Sequence, residues 1–340
     1  MKNYQIYVSV LIPTYNEENY IENTIDTLLK NNYPKNLFEI IVIDGGSTDS
    51  TVSKVSNVIE NNNNIKIYKN LNKIQSYGLN IGIEKSNGDI IIRADAHAIY
   101  DKNYISESVK LLLCNNDYQN VGPFQKSYGD NIVSNSIAMG MNTIFGMGNA
   151  KYRLSENYLE NVKSVWLGAW WKKSLLKLNG FDETLKISED FDINYRLRKI
   201  GGQIVASNKI KATYIVRKSL VKLFSQFFKY GFWKAKFLND HPDEMQLRWF
   251  APPLLVVSFF LIGILSNLSL NFLALFLIYI VFIICGVIIN FRLRNLFNII
   301  SSLILFAVFP IIHFSWGLGF IAGYMYWNVV NLIKKTNINT

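Results

Sequence analysis

The chain has 340 residues, a formal charge of +10 and two cysteines, and half of its residues are hydrophobic. That length admits one large domain or two ordinary ones. The positive balance does not point to nucleic acid, because six basic residues and no acidic one fall between Arg217 and Lys236, just before an uncharged run. A basic segment in that position is drawn to anionic lipid.

In chain order, Tyr7–Ile12 is a short apolar run ending at Pro13, which predicts a buried strand. Glu17–Asn31 has apolar residues at helical spacing. Phe38–Ile43 predicts a second strand, closed by the turn cluster that begins at Asp44. Thr51–Glu60 predicts a helix, Ile65–Tyr68 a strand, Lys73–Lys85 a helix and Asp89–Ala94 a fourth strand. This alternation predicts a doubly wound, mainly parallel α/β sheet. Ligands of such sheets bind beyond the carboxyl ends of the strands. The rule places Pro13–Glu17, Asp44–Asp49 and Asp95–His97 on one rim.

Asn103–Cys114 is a further helix, Gly140–Arg153 a flexible or closely packed Gly- and Met-rich segment, and Glu189–Gly201 a helix start. Lys218–Leu238 is amphipathic and basic, with Leu220, Leu223, Phe224, Phe227, Phe228, Phe232 and Phe237 on its apolar side. That pattern predicts a helix lying in a membrane interface.

From Trp249 to Phe291, and again from Asn295 to Ile333, there is no Asp, Glu, Lys or Arg. A spanning helix needs about 20 apolar residues, so these runs predict three or four membrane helices. Two cover about Pro252–Leu268 and Phe272–Ile289 and return the chain to the cytoplasm at Arg292 and Arg294. Pro310, Gly317 and Gly319 are expected to break the second run into two short passes. The boundaries are then a soluble domain over 1–216, an interfacial segment over 217–248 and a membrane region over 249–335. The N-terminus lacks the apolar stretch of a signal peptide, and Cys114 and Cys285 fall in different regions, so the soluble domain is expected in the cytoplasm, on a multi-pass protein of the cytoplasmic membrane.

The chemistry sits on the predicted rim. Asp44 can accept a hydrogen bond from a uracil ring or a ribose hydroxyl. Asp95 and His97 stand two apart in an extended stretch and so face one side. A carboxylate with an imidazole suits Mn²⁺ or Mg²⁺, the rest of the shell coming from phosphate and water. Glu189 and Asp190, at a helix start, offer a general base. Each feature alone is weak. An Asp-Gly-Gly-Ser turn is commonly only a turn, and paired acids at a helix start commonly complement its dipole. Their order on one rim gives them weight.

In sequence the chain resembles the inverting glycosyltransferases of family 2, which use the GT-A fold. The resemblance rests on Pro13-Thr-Tyr-Asn-Glu17, Asp44-Gly-Gly-Ser-Thr-Asp-Ser-Thr51, Asn80-Ile-Gly82, Gly88-Asp89, Asp95-Ala-His97, Gly180-Phe-Asp-Glu183 and Ser188-Glu-Asp190. Within the family it is most similar to the succinoglycan-biosynthesis glucosyltransferase subgroup, through Arg93-Ala-Asp-Ala-His-Ala98, Phe145-Gly-Met-Gly148 with Tyr152-Arg153, and Gln226-Phe-Phe-Lys-Tyr-Gly231 before His241-Pro242. The resemblance implies that Pro13, Thr14, Tyr15, Glu17, Asp44 and Asp95 bind the donor nucleotide. It implies that Asp95 and His97 hold the metal and that Asp190 is the base. Trp170, Glu189, Gln226, Lys229 and Tyr230 are expected around the acceptor and diphosphate. Lys229 and Tyr230 replace the Arg and Trp of a Gln-x-x-Arg-Trp motif, and with them the bidentate phosphate clamp is lost.

The function this implies is transfer of a hexose from a UDP-sugar to a polyprenyl-diphosphate-linked glycan, in exopolysaccharide, capsule or related glycan synthesis. The alternatives are a polyprenyl-phosphate glycosyltransferase, a processive synthase and a catalytically dead membrane scaffold. A nicotinamide oxidoreductase is excluded because no Gly-x-Gly-x-x-Gly follows the first strand. The expected partners are the donor, the lipid-linked acceptor and the bilayer, with no nucleic acid.

Overall fold

The computed structural model describes residues 6–154, 157–265, 271–291 and 296–338. Its elements run β1 (Val8–Thr14), α1 (Ile21–Leu29), β2 (Phe38–Asp44), α2 (Thr51–Ile59), β3 (Ile65–Lys69), α3 (Gln75–Lys85), β4 (Ile90–Arg93), β5 (Ala98–Tyr100), α4 (Tyr104–Cys114), β6 (Tyr118–Pro123) and β7 (Lys126–Tyr128). There follow α5 (Ile132–Met141), α6 (Ile144–Met147), α7 (Lys151–Leu154), β8 (Leu159–Asn161), β9 (Ala169–Trp171), α8 (Lys172–Lys177), α9 (Glu189–Lys199), β10 (Gln203–Ser207), β11 (Ala212–Ile215), α10 (Leu220–Asp240), α11 (Ala251–Leu265), α12 (Asn271–Asn290) and α13 (Leu296–Ile338). They group into two compact units, residues 1–126 with 151–215, and residues 127–150 with 216–340.

The first unit is built on an eight-stranded sheet in the order β3-β2-β1-β4-β9-β6-β10-β8. The pairs β3–β2, β2–β1, β1–β4 and β6–β10 are parallel, whereas β9 runs antiparallel between β4 and β6. All seven residues of β2 are buried, the pattern of a central strand covered on both faces. α1 buries Ile21, Thr24, Ile25 and Leu28, one stripe at helical spacing. In the β1 ladders Thr14 stands opposite Asp44 and Leu11 opposite Arg93. This register sets the ends of β1 and β2 level, and β4 stops three residues short of them, so that Asp95–His97, which follow it, come up beside the first motif on the same rim, His97 reaching Glu17.

β9 is a strand of three residues, Ala169–Trp171, and in it Trp170 takes its place in the core. It is 1% exposed and packs edge-on to Phe181 at 5.7 Å, among Leu11, Ile91 and Leu175. The expectation that Trp170 meets the acceptor is therefore corrected: a ring with no exposed face cannot stack on a sugar.

The second unit is helical, with α10 packed along α13. A Cβ on Gly319 would come within 2.0 Å of the Phe228 carbonyl oxygen, and one on Gly323 within 2.4 Å of that of Phe232. The four-residue spacing on both helices makes this a small-residue contact at which two backbones touch. Part of the apolar side of α10 thus meets α13 instead of standing free for lipid. α13 runs unbroken through Pro310, Gly317 and Gly319, which corrects the expected break. Gly317 and Gly319 serve close approach to neighbouring chain and do not interrupt the helix. The Gly- and Met-rich segment is closely packed, since a Cβ on Gly146 would lie 2.2 Å from the Gly140 carbonyl oxygen. Among the described residues one helix, Phe297–Val330, is long and apolar enough to cross a membrane, against the three or four expected. The turn carrying Arg292 and Arg294 lies outside the described residues.

Candidate active site

The rim is assembled by two loops that hydrogen-bond to each other. After β1, Asn16 takes a left-handed backbone (φ 55°), and its side-chain oxygen accepts from Thr48 N at 2.8 Å. Asn16 N donates to Ser47 Oγ at 2.9 Å, Glu17 N to Thr51 Oγ1 at 2.8 Å and Glu18 N to Asp49 Oδ2 at 3.2 Å. The first motif is thereby locked onto the second. Asp44, buried at the end of β2, accepts from Gly46 N at 3.0 Å and Ser47 N at 3.1 Å, so the carboxylate shapes its own turn. Thr14 is buried beside it, Pro13 is half-buried and Tyr15 is 50% exposed at the mouth of the site.

At the end of β4 the carboxylate of Asp95 is held from two sides. Arg93 Nε donates to Oδ1 at 3.1 Å and Trp166 Nε1 to Oδ2 at 2.9 Å. Burial works against the charge of Asp95, but Arg93 and the Trp166 N–H outweigh it and hold the carboxyl below its ordinary range. The Tyr100 hydroxyl bridges the backbone N–H and carbonyl of the same residue. His97 Nδ1 lies 2.9 Å from Glu17 Oε1, and its ring meets Tyr214 edge-on at 5.8 Å. Tyr214 also packs edge-on against Trp166 at 5.6 Å. It is placed there by β11, which pairs antiparallel with β5.

α9 brings up the other side of the site. Its cap residue, Ser188, has φ 78°, and Glu189, Asp190 and Asp192 fill the first turn. Negative charge there is favoured by the helix dipole. Arg93 Nη1 donates to Glu189 Oε1 at 2.8 Å and to Asp190 Oδ1 at 2.6 Å. Burial first, then the charges of Glu189 and Asp95, push the Asp190 carboxyl up to about 7 against the pull of Arg93. Its side chain keeps 19% exposure, which leaves it open to a reactant. Three non-glycine residues with left-handed backbone, Asn16, Leu167 and Ser188, each adjoin a site residue. Each such conformation costs on the order of 1–3 kcal/mol and persists where the surroundings dictate it.

The structure thus brings Thr14, Glu17, Asp44, Asp95, His97, Glu189 and Asp190 into the first unit's rim. Gln226, Lys229 and Tyr230 belong to α10 of the second unit. There Gln226 Nε2 donates to the Tyr230 hydroxyl at 2.8 Å, and Lys229 is exposed. Arg93, Trp166 and Tyr214 join the site without a role expected from the sequence. For Arg93 a signal was present: an arginine ends a strand that is otherwise Ile-Ile-Ile.

With Nδ1–H given to Glu17, His97 Nε2 carries the ring's lone pair, the usual arrangement of a ligating imidazole. Each Asp95 oxygen accepts one hydrogen bond and keeps further acceptor capacity. Among the described residues no group of three or more His, Cys, Asp or Glu could hold a metal. Asp95 and His97 do not lie in an extended stretch, since Ala96 and His97 form a turn between β4 and β5, so strand alternation does not set them on one side as expected. As donor types, a carboxylate and an imidazole suit an ion that completes its shell with phosphate and water.

Residues 9–169 match the model of the glycosyl transferase family 2 domain. The chain is 28% identical over 259 residues to a dolichyl N-acetyl-alpha-D-glucosaminyl phosphate 3-beta-D-2,3-diacetamido-2,3-dideoxy-beta-D-glucuronosyltransferase of Methanococcus voltae, covering 72% of this chain and 78% of that protein. It is 28% identical over 247 residues to the succinoglycan biosynthesis protein ExoA of Rhizobium meliloti, covering 72% and 73%. Among solved structures, a mannosyltransferase from Pyrobaculum calidifontis, in complex with GDP-Man and Mn²⁺, superposes with a TM-score of 0.63 at 18% identity, over 90% of this chain and 87% of that one. That likeness establishes a shared GT-A fold. Sequence match and fold agree on a glycosyl transferase family 2 domain over residues 9–169, built on the GT-A fold.

Proposed function

We propose that this chain moves a hexose from a UDP-sugar, with inversion, to a hydroxyl of a polyprenyl-diphosphate-linked glycan. The observation that carries the reading is the placing of Asp190. A partly exposed carboxylate of raised pKa stands across Arg93 from the buried, ionised Asp95. An inverting transfer needs one base for the acceptor and a separate set of groups for the departing diphosphate. The relative from Methanococcus voltae is named for action on a lipid-linked sugar, which supports a glycan hydroxyl over a lipid phosphate as acceptor.

In this mechanism Thr14, Asp44 and the exposed ring of Tyr15 receive the nucleotide. Glu17 fixes the tautomer and orientation of His97. Asp95 and His97 would hold Mn²⁺ or Mg²⁺, which when bound offsets the charge of the diphosphate. Asp190 takes the acceptor proton as the hydroxyl attacks the anomeric carbon, and Glu189 orients the acceptor. The basic segment Arg217–Lys236, most of it in α10, and the apolar α13 support a location on the cytoplasmic face of the membrane.

The test is nucleotide release by the purified full chain in detergent, screened over UDP-hexoses with two acceptors, polyprenyl phosphate and a polyprenyl-diphosphate sugar. Release is expected only with the sugar acceptor, is lost in excess chelator and is restored by Mn²⁺ at least as well as by Mg²⁺. Transfer to polyprenyl phosphate alone would overturn the acceptor, and full activity in chelator the metal.

A further inference from the structure

We infer that Arg93 is a positioning residue of the transfer reaction, its single guanidinium fixing the base Asp190 and its neighbour Glu189 relative to the donor-side carboxylate Asp95. The inference rests on the reading above, in which Asp190 is the base.

Arg93 closes β4 and is 5% exposed. Burying a guanidinium at the end of an apolar strand is costly unless its donors are matched. Here they are matched by three carboxylates: Nε reaches Asp95 at 3.1 Å, and Nη1 reaches Glu189 at 2.8 Å and Asp190 at 2.6 Å. A pairing needed only for the fold would be met by one carboxylate. Three against one cation leave an excess of negative charge, so neutralisation does not explain the arrangement. Geometry does. Asp95 follows a strand, whereas Asp190 opens a helix 95 positions later in the sequence. The guanidinium is planar and its N–H directions are fixed, so one group ties both carboxylates to a common frame. The backbone beneath is held as well, because the Tyr104 hydroxyl donates to the carbonyl oxygen of Arg93 at 3.1 Å. A lysine would offer one ammonium on a flexible stem and keep the charge without the frame.

The experiment compares the full-length parent with Arg93→Lys, Arg93→Met, Asp190→Asn and the double variant Arg93→Met/Asp190→Asn. It measures kcat on the hydroxyl acceptor and nucleotide affinity by calorimetry. Misplacing a reacting group by about 1 Å can cost about 100-fold, so Arg93→Met is expected to lose about that much in kcat, with a smaller change in nucleotide affinity. Arg93→Lys should recover part of the loss. In the double variant the Arg93 change should add little to Asp190→Asn, because groups acting as a unit are not additive. A double variant whose loss is the product of the two single losses would overturn the role of Arg93 and leave the base reading intact. So would an Arg93→Lys variant with parental kcat. Parental kcat in Asp190→Asn alone would overturn the base reading, and the inference with it. If Arg93→Met fails to bind nucleotide, Arg93→Lys and its double with Asp190→Asn decide by the same comparison.

Discussion

Asp190 works as a base only when ionised, and its surroundings decide the pH at which that happens. With the carboxyl pushed up to about 7, the apparent second-order rate on the acceptor should rise with pH up to that point and level off above it, since this quantity reports the free enzyme. Asp190→Asn should remove the rise and cost about 10²–10⁴-fold in rate. The sign for stability is opposite to that of an ordinary ion-paired carboxylate. The unfolded value is about 4 and the folded one is higher, so the native state takes up a proton and loses stability between about pH 4 and 7. Asp190→Asn should therefore gain thermal stability relative to the parent at pH 8 and not at pH 4. A pH-independent difference would count against the raised value. At this scale the sequence revealed the acidic and imidazole groups but not their partners. The order of motifs could locate Asp95 and Asp190. Only the packing of α9 against the sheet's end could put one arginine between them. Trp166 and Trp170 look alike in sequence, yet Trp166 precedes β9, is followed by Leu167 in a left-handed conformation (φ 54°) and donates to Asp95, whereas Trp170 lies in the strand and packs into the core.

Glu39 illustrates how elements are tied together away from the chemistry. It lies in β2, is 1% exposed, and accepts from Ser9 Oγ of β1 at 2.8 Å, Lys66 Nζ of β3 at 2.8 Å and Asn87 N before β4 at 2.7 Å. Next to it Gly88 lies against β1, where a Cβ would come within 2.4 Å of Ser9 N. One carboxylate thus joins three strands and the turn that leads to a fourth. Burial alone would raise its pKa, but the hydrogen bonds from Lys66, Asn87 and Ser9 prevail and lower it. Its contribution is then complete above the unfolded value and is lost as pH falls through the folded one. Glu39→Gln should cost about 1–2 kcal/mol near neutral pH, at the low end for a buried charge because Lys66 is 40% exposed and can rehydrate. The difference from the parent should shrink in acid, and denaturant melts at pH 7 and pH 3 would check it. β1 to β4 and α1 to α4 were legible because each carries a full apolar period. β9 was not, having three residues and pairing on both sides with strands remote in sequence. The motif around Asn80 was visible without its reason. The Asn80 side chain clamps the backbone of Phe181 through both its amide atoms, at 2.8 and 2.9 Å.

For the molecule as a whole, the question is whether α13 meets lipid. Its candidate span has 34 residues, and only 33% of its most apolar window is buried, where the core helix of a soluble domain would be mostly covered. At 1.5 Å per residue the span is about 51 Å long, against a hydrocarbon core of about 30 Å. The excess is accommodated by tilt or by ends that emerge into the headgroups. From sequence the same excess suggested a break at Pro310 and the glycines, and none occurs. A glycine in an apolar run marks a close helix contact as readily as a break, and composition does not separate the two. Phe306 and Leu318 lie on the open side of the span, 47% and 41% exposed. In water an arginine at an exposed position is neutral or improves solubility. Near the middle of a bilayer it costs about 2.5–3.5 kcal/mol. The double substitution Phe306→Arg/Leu318→Arg should therefore shift the chain from the carbonate-resistant membrane fraction to the soluble or aggregated one. A parallel substitution of exposed Leu71 in the first unit, 85% exposed, should leave the partition unchanged. Membrane retention of the Phe306→Arg/Leu318→Arg chain would show that α13 does not lie in the hydrocarbon, and that attachment comes from the basic α10 or from residues 251–290.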